Sequence, residues 1–310
     1  SEVLNALGPS SFLINVARGS VVNEADLIQA LQSHQIAGAA LDVFENEPNP
    51  NPAFLEFSNV LLTPHIGSAT QETRQAIAGG LDPKNMMPGT GACSVDDAVT
   101  MTRAAVKAGC AGVLMLPPFY YKDVSDDGLF AFYADVIEKI GDAQLKIYVY
   151  NIPPVTKIGL SVPLLERLVK TYPTTVIGIK DSSGDWPYTE SVIQALAGSG
   201  FRVYAGSEVF LLRTLKAGGV GCISATANVN PKAIADLAAR WQEGGADALQ
   251  ESLSAVRAVF AQFPMIASMK AAVAHFSKDP DWVRVRPPLL ALNPEQQAKL
   301  VADLQKINFK

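Results

Sequence analysis

Short continuous apolar runs alternate with amphipathic stretches along nearly the whole chain, and that rhythm constrains the fold more than any other feature. The runs are Phe12-Val16, Ala37-Val43, Val60-Thr63, Asn85-Met87, Gly112-Leu116, Lys146-Tyr150, Val176-Lys180, Arg202-Ala205 and Gly221-Ser224. A run apolar at every position, rather than at every second one, marks a parallel strand covered on both faces. Helices are expected between them at Glu24-Gln32, Thr70-Ala78, Val95-Ala108, Gly128-Ile140, Val162-Thr171, Tyr188-Leu196, Val209-Lys216 and Pro231-Glu243. Repeated strand–helix units imply a parallel sheet, either open or closed into a barrel.

The organisation changes partway along. From Asn85 onward six units recur at roughly 30-residue spacing, the rhythm of a (β/α)8 barrel, which needs about 200–250 residues for all eight. Before Asn85 the rhythm differs. A Pro- and Asn-rich loop, Glu45-Asn46-Glu47-Pro48-Asn49-Pro50-Asn51-Pro52, separates two strands without a full crossover helix and reads as a site or lid. Ser254-Ala274 and Pro294-Lys306 read as helices packed outside the barrel.

Composition excludes several function classes. At 310 residues, with 48% hydrophobic and 18% charged residues, the chain can bury a large core and is not of the disordered class. A net charge of -5, with Lys and Arg scattered, gives no reason to expect nucleic acid. No apolar stretch approaches the ~20 residues that cross a bilayer, and Ser1-Glu2-Val3-Leu4-Asn5 does not resemble a signal peptide, so a cytoplasmic location is expected. Cys93, Cys110 and Cys222 are widely spaced, fitting reduced thiols rather than a disulfide framework or a metal site.

Ile14-Asn15-Val16-Ala17-Arg18-Gly19 with Val21-Val22-Asn23-Glu24, then Leu41-Asp42-Val43-Phe44-Glu45-Asn46-Glu47-Pro48, then Leu62-Thr63-Pro64-His65-Ile66-Gly67, come in that order. The series resembles the nucleotide-binding domain of D-2-hydroxyacid dehydrogenases. That resemblance implies that Arg18 binds a substrate carboxylate, that His65 exchanges a proton with the substrate oxygen, that Glu47 tunes His65, and that Asp42 lies near a nicotinamide. Hydride transfer also needs a Gly-rich dinucleotide turn, which lies upstream in that family and is not expected here. Gly89-Thr90-Gly91-Ala92-Cys93-Ser94 has two of the three glycines and no acidic residue after the next strand, so it reads as a barrel loop. No cofactor is expected, and the four residues read as a vestigial site.

Met87-Pro88-Gly89-Thr90-Gly91, Leu116-Pro117-Pro118-Phe119-Tyr120-Tyr121, Tyr150-Asn151-Ile152-Pro153, Gly178-Ile179-Lys180-Asp181-Ser182-Ser183-Gly184 and Gly221-Cys222-Ile223-Ser224-Ala225-Thr226-Ala227-Asn228 also come in order. This series resembles the dihydrodipicolinate synthase / N-acetylneuraminate lyase superfamily from its third barrel strand onward. Independently of that likeness, Lys180 ends an otherwise apolar strand, where the mouth of a parallel barrel builds active sites. Desolvation in such a mouth frees an amine to attack a ketone, and Tyr150, ending the preceding strand, could relay protons. The resemblance adds Tyr121 (or Tyr120) as a further relay member, often across a subunit interface, and Gly206 and Ile223 as backbone contacts to a pyruvyl group. It implies a small, pyruvate-like keto acid as partner and leaves a homo-oligomer open. Two departures stand out. The family's GTTGE segment, an anion cradle with a relay threonine, has no counterpart in residues 1–80, and Val155 stands where synthases proper carry an arginine.

The expected fold is therefore α/β: a TIM-like barrel of eight or nine parallel strands whose first two units are replaced by a Rossmann-type βαβ fragment. Residues 1–79 form the fragment and residues 80–310 the barrel, joined near Gly79-Gly80 into one fused domain. The expected function is that of an engineered chimera without significant turnover, since positioning and electrostatic stabilisation are both reduced. The alternatives are a residual Schiff-base lyase using Lys180 and, disfavoured, a nicotinamide-dependent oxidoreductase.

Overall fold

The computed structural model describes residues 2–15, 21–41, 44–46, 50–62 and 82–309. The chain divides into two compact units, Ser1–Pro83 and Lys84–Lys310.

In the first unit, α1 (Glu2–Leu7) precedes β1 (Phe12–Asn15), α2 (Glu24–Gln32), β2 (Gly38–Leu41) and β3 (Val60–Leu62). The strands are parallel in the order β1-β2-β3, with Ile14, Ala40 and Leu61 in one row. Asn23 starts α2, its side chain accepting the Asp26 N–H at 2.9 Å, and Glu24 and Asp26 place negative charge on the positive end of the helix. Leu27, Ala30 and Leu31 of α2 pack with Ile36, Ala39, Leu41 and Phe54, covering one sheet face. The loop after β2 is tied back by a reciprocal pair: Glu24 N–H donates to Glu45 Oε1 (3.2 Å), and Glu45 N–H donates to Glu24 Oε1 (2.8 Å). The expected helix at Thr70-Ala78 lies outside the described residues.

The second unit contains a five-stranded parallel sheet in sequential order: β4 (Val113–Met115), β5 (Ile147–Asn151), β6 (Val176–Asp181), β7 (Arg202–Ala205) and β8 (Gly221–Cys222). α3 (Val95–Lys107) precedes β4, and the helices between the strands are α4 (Asp126–Ile140), α5 (Pro153–Thr156), α6 (Val162–Thr171), α7 (Trp186–Ala195) and α8 (Leu211–Ala217). Serines cap three of them. Ser94, Ser125 and Ser161 accept the N–H groups of Asp97, Gly128 and Leu164, satisfying donors that the helices leave open. Met115, Ile147, Val149, Ile179 and Val203 point to the helix side and pack with Leu129, Tyr133 and Val136 of α4, Leu164, Leu165 and Leu168 of α6, and Val192 of α7. Each fully buried leucine there stabilises the fold by ~1.5–3 kcal/mol. Helices α9 (Pro231–Arg240), α10 (Ala246–Phe260), α11 (Met265–Ser277) and α12 (Pro294–Lys306) follow, the last three with a core around Phe260, Ala272, Leu300 and Leu304.

Two expectations need correction. Asn85-Met87 is not a strand: Pro83–Asn85 forms a 3-10 turn, and the chain then runs beside β4 with a single bridge, Gly89 to Leu114. Pro88 has no N–H to give the ladder, and among the described residues the segment's backbone bonds to β4 and its approach are the Ala111 N–H to Met86 carbonyl (3.0 Å), the Leu114 N–H to Pro88 carbonyl (2.9 Å) and the Thr90 N–H to Leu114 carbonyl (2.9 Å). Ser254-Ala274 is not one helix either. Pro264 caps a new one, because its ring cannot sit inside the turn that would have continued α10.

Candidate active site

Alternation along each strand decides which residues face away from the helices. Val149, Ile179 and Val203 pack against helices, so Tyr148 and Tyr150 of β5, Gly178 and Lys180 of β6, and Arg202 and Tyr204 of β7 share the opposite face. Strand register then sorts these six into rows. Tyr150, Lys180 and Tyr204 form the row at the carboxyl ends, and Tyr148, Gly178 and Arg202 form the row beneath it.

In the upper row, Lys180 Nζ sits 4.1 Å from the centroid of the Tyr150 ring. A cation over an aromatic face at that distance is held by the ring quadrupole, which fixes the amine without tying up its protons. Among the described residues, Nζ makes no hydrogen bond and no ion pair. Lys180 and Tyr150 are both half-buried, accessible to a small molecule.

The lower row is a floor. Arg202 Nη1 donates to the Tyr148 hydroxyl at 3.1 Å, and the Tyr148 and Tyr204 rings meet edge-on at 5.8 Å. Burial pushes the Tyr204 phenol up, Tyr148 adds to the effect, and Arg202 opposes it. Only glycine fits at 178, since a Cβ there would lie 2.5 Å from both the Arg202 carbonyl oxygen and Cδ1 of Tyr148.

The strand ends are fixed from the helix side. Asp181, 3% exposed, accepts from Asn151 Nδ2 (2.8 Å), Ser183 N–H (3.0 Å), Ser183 Oγ (2.9 Å) and the Thr189 hydroxyl. A second buried carboxylate, Glu208, accepts from the hydroxyls of Ser224 and Thr226, with Arg257 Nη1 at 3.6 Å. It joins the segments that follow β7 and β8 to α10. Beside it, burial pushes the Cys222 thiol up to about 12, and the Glu208 charge adds to the effect.

The other expected site residues are distributed as follows. Gly206 and Ile223 extend the ladder, their N–H groups donating to Asp181 (2.6 Å) and Ala205 (2.8 Å) carbonyls, so what each has left to offer is its own carbonyl oxygen. A Cβ on Gly206 would lie 2.0 Å from Ser182 Oγ. Tyr121 is 75% exposed and stacks edge-on against Tyr120 at 5.2 Å; among the described residues no hydrogen bond joins it to Tyr150 or Lys180. Val155 is exposed on α5. Arg18, Asp42, Glu47 and His65 lie outside the described residues. Among the described residues no group of three His, Cys, Asp or Glu side chains could hold a metal, and no helix is long and apolar enough to cross a membrane. Asp181 and Tyr204 were not singled out from sequence; for Asp181 the available signal was a polar residue closing an apolar strand, whereas Tyr204 lies inside β7 and carried no such mark.

Comparison with known proteins assigns the family. The dihydrodipicolinate synthetase family matches residues 73–307. The chain belongs to that family. An uncharacterised DapA-like lyase of Chloroflexus aurantiacus is 32% identical over 224 residues, covering 72% of this chain and 74% of that protein. The crystal structure of dihydrodipicolinate synthase from Agrobacterium tumefaciens superposes with a TM-score of 0.69 at 29% identity, covering 92% of this chain and 93% of that one, so the fold is that of the family's TIM barrels. Residues 1–67 match a different family, the NAD-binding domain of D-isomer specific 2-hydroxyacid dehydrogenases. A 2-ketogluconate reductase of Gluconobacter oxydans is 58% identical over 77 residues, a quarter of each chain. One chain thus carries sequence of two families.

Proposed function

We propose that this chain holds a pyruvate-like 2-keto acid as a Schiff base on Lys180 and turns it over slowly. The observation that carries the reading is the Lys180 amine over the Tyr150 ring, without a hydrogen bond or ion pair among the described residues, at the carboxyl ends of adjacent parallel strands. The Lys180 ammonium first gives a proton to solvent; the nitrogen lone pair then attacks the keto carbon while the carbonyl π pair moves to oxygen, which takes a proton from the Tyr150 hydroxyl. The amine proton lost from nitrogen returns to Tyr150, which passes it to the carbinolamine hydroxyl; the hydroxyl leaves as water while the nitrogen lone pair forms the C=N bond, and a protonated imine remains beside a Tyr150 phenolate that regains its proton from solvent. Gly206 and Ile223 adjoin the same strand ends, and Tyr121 would join the relay across a subunit interface.

Slow turnover follows from the division of the chain between two families. The family match begins at residue 73, after the stretch in which the anion cradle would stand. Without it the substrate carboxylate loses both positioning and stabilisation, each worth orders of magnitude in rate. The adjoining matches, 1–67 and 73–307, support reading the chain as an engineered recombination of a dehydrogenase fragment with a lyase barrel.

Borohydride reduction in the presence of pyruvate, followed by peptide mass spectrometry, tests the site. A reduced pyruvyl adduct on the Lys180 peptide is expected. An unmodified Lys180 peptide at saturating pyruvate overturns the reading.

A further inference from the structure

We infer that Asp181 is a positioning residue: its buried carboxylate ties the ends of β5 and β6 to α7 so that the Lys180 amine is held against Tyr150. The inference rests on the reading of Lys180 as the Schiff-base residue, but its geometry stands on Asp181 itself.

On the helix side of the sheet the strands are apolar at Val149, Ile179 and Val203, and become polar only in the last row, at Asn151 and Asp181. An ionised group at 3% exposure is costly unless each lone pair finds a donor, and here four donors converge from three places. Asn151 Nδ2 comes from β5, the Ser183 N–H and hydroxyl from the turn after β6, and the Thr189 hydroxyl from α7. No cation lies within ion-pair distance among the described residues, so the carboxyl group is held by neutral dipoles alone. Asn151 is as deeply buried, and its Oδ1 accepts the Leu160 N–H at 3.0 Å, anchoring the segment after α5. The backbone completes the tie: Ser182 N–H donates to the Asn151 carbonyl (2.7 Å) and Gly206 N–H to the Asp181 carbonyl (2.6 Å), joining β5, β6 and the end of β7.

Successive residues of a strand face opposite sides. Fixing Asp181 outward therefore fixes Lys180 inward, and fixing Asn151 does the same for Tyr150, its neighbour in the chain. An apolar pair in this row would pack as well, yet would set neither the twist of the strand ends nor the path into α7. Loss of Asp181 lets the end of β6 rotate, and the amine moves relative to the ring.

The test uses the full chain and a readout that a role in stability alone would not move. Reductive methylation with 13C-formaldehyde places two labelled methyl groups on each lysine nitrogen. The Lys180 resonance, assigned by its loss in Lys180→Arg, is expected to be displaced upfield by the Tyr150 ring current. In Asp181→Ala that displacement is lost, and in unmethylated protein the rate of borohydride-trapped pyruvate adduct falls on the order of 10²-fold, as for an ångström-scale misplacement. The exchanged pair Asn151→Asp/Asp181→Asn, which restores one carboxylate and one amide across the same strands, returns the resonance toward its original position. Should Asp181→Ala fail to fold, Thr189→Val removes one of the four donors and shifts the resonance partway. A Lys180 resonance that stays in place in these variants, whatever happens to the melting temperature, overturns the inference. Wild-type protein that traps no pyruvate defeats the Schiff-base reading alone, and the methyl resonance still decides the role of Asp181.

Discussion

Replacing Glu208 with alanine should destabilise the second unit by about 3 kcal/mol. The carboxylate is 1% exposed and serves two hydroxyls and a guanidinium at once, those of Ser224, Thr226 and Arg257. Truncating one partner of a buried ion pair typically costs ~3–5 kcal/mol, because the other charge is left uncompensated. The low end applies here: Arg257 is 24% exposed and keeps a 3.3 Å hydrogen bond to Ser224 Oγ, so water and the hydroxyl take up part of its charge. For a unit the size of Lys84–Lys310, ~3 kcal/mol corresponds to a fall in melting temperature of about 6–12 °C. Thermal unfolding followed by circular dichroism reads this directly. A double-mutant cycle with Arg257→Met isolates the pair, with an expected coupling of ~1 kcal/mol. A Glu208→Ala variant melting within about 1 °C of wild type, against the several degrees that ~3 kcal/mol implies, refutes the reasoning, since the carboxylate would then not be holding the ends of β7 and β8 to α10.

Further expectations concern side chains around the same strand ends. Tyr150→Phe keeps the ring that holds the amine and removes the relay proton, so trapping at Lys180 should slow by ~10²-fold or more with an unchanged melting temperature, measured by timed borohydride quench. Gly206→Ala should cost ~1–3 kcal/mol in chemical denaturation, since its Cβ would overlap Ser182 and force the backbone apart. The Cys222 thiol is held at about 12 in the folded state, above its ordinary value near 9, so the folded chain keeps a proton that the unfolded chain has lost. Its contribution to stability is complete below pH 9 and declines as pH rises from there toward 12, and Cys222→Ala should flatten that part of a stability–pH curve. At pH 8 iodoacetamide should label exposed Cys93 well before Cys222, because the thiolate is the nucleophile; equal rates by mass spectrometry would contradict the burial of Cys222.

The parallel strands were legible almost to the residue from their mostly continuous apolar runs, although the expectation that both faces are covered fails for β1 and β3, where Phe12, Ile14 and Leu61 are exposed. Val176–Asp181 and Arg202–Ala205 are continuous runs with no competing periodicity. Helices with a capping side chain and an apolar stripe, such as Glu24–Gln32 and Val162–Thr171, were equally plain. Asn85-Met87 failed because its apolar character reports burial, while the prolines on either side decide pairing. That Lys180 and Tyr150 adjoin could be read from strand ends alone. Asp181 and Tyr204 could not be given roles, since these depend on cross-strand register and on donors 8 to 30 residues away, which no local pattern encodes. The boundary between the two families was visible in motif order, whereas the division of the chain into compact units falls at Pro83.

A crystal structure of the chain reduced with borohydride in the presence of pyruvate would put the chemistry in view. Continuous density from Lys180 Nζ to the former keto carbon, with the adduct beside Tyr150, is the expected result. Density for pyruvate attached to another lysine, or a bare Lys180 turned away from Tyr150, would contradict it.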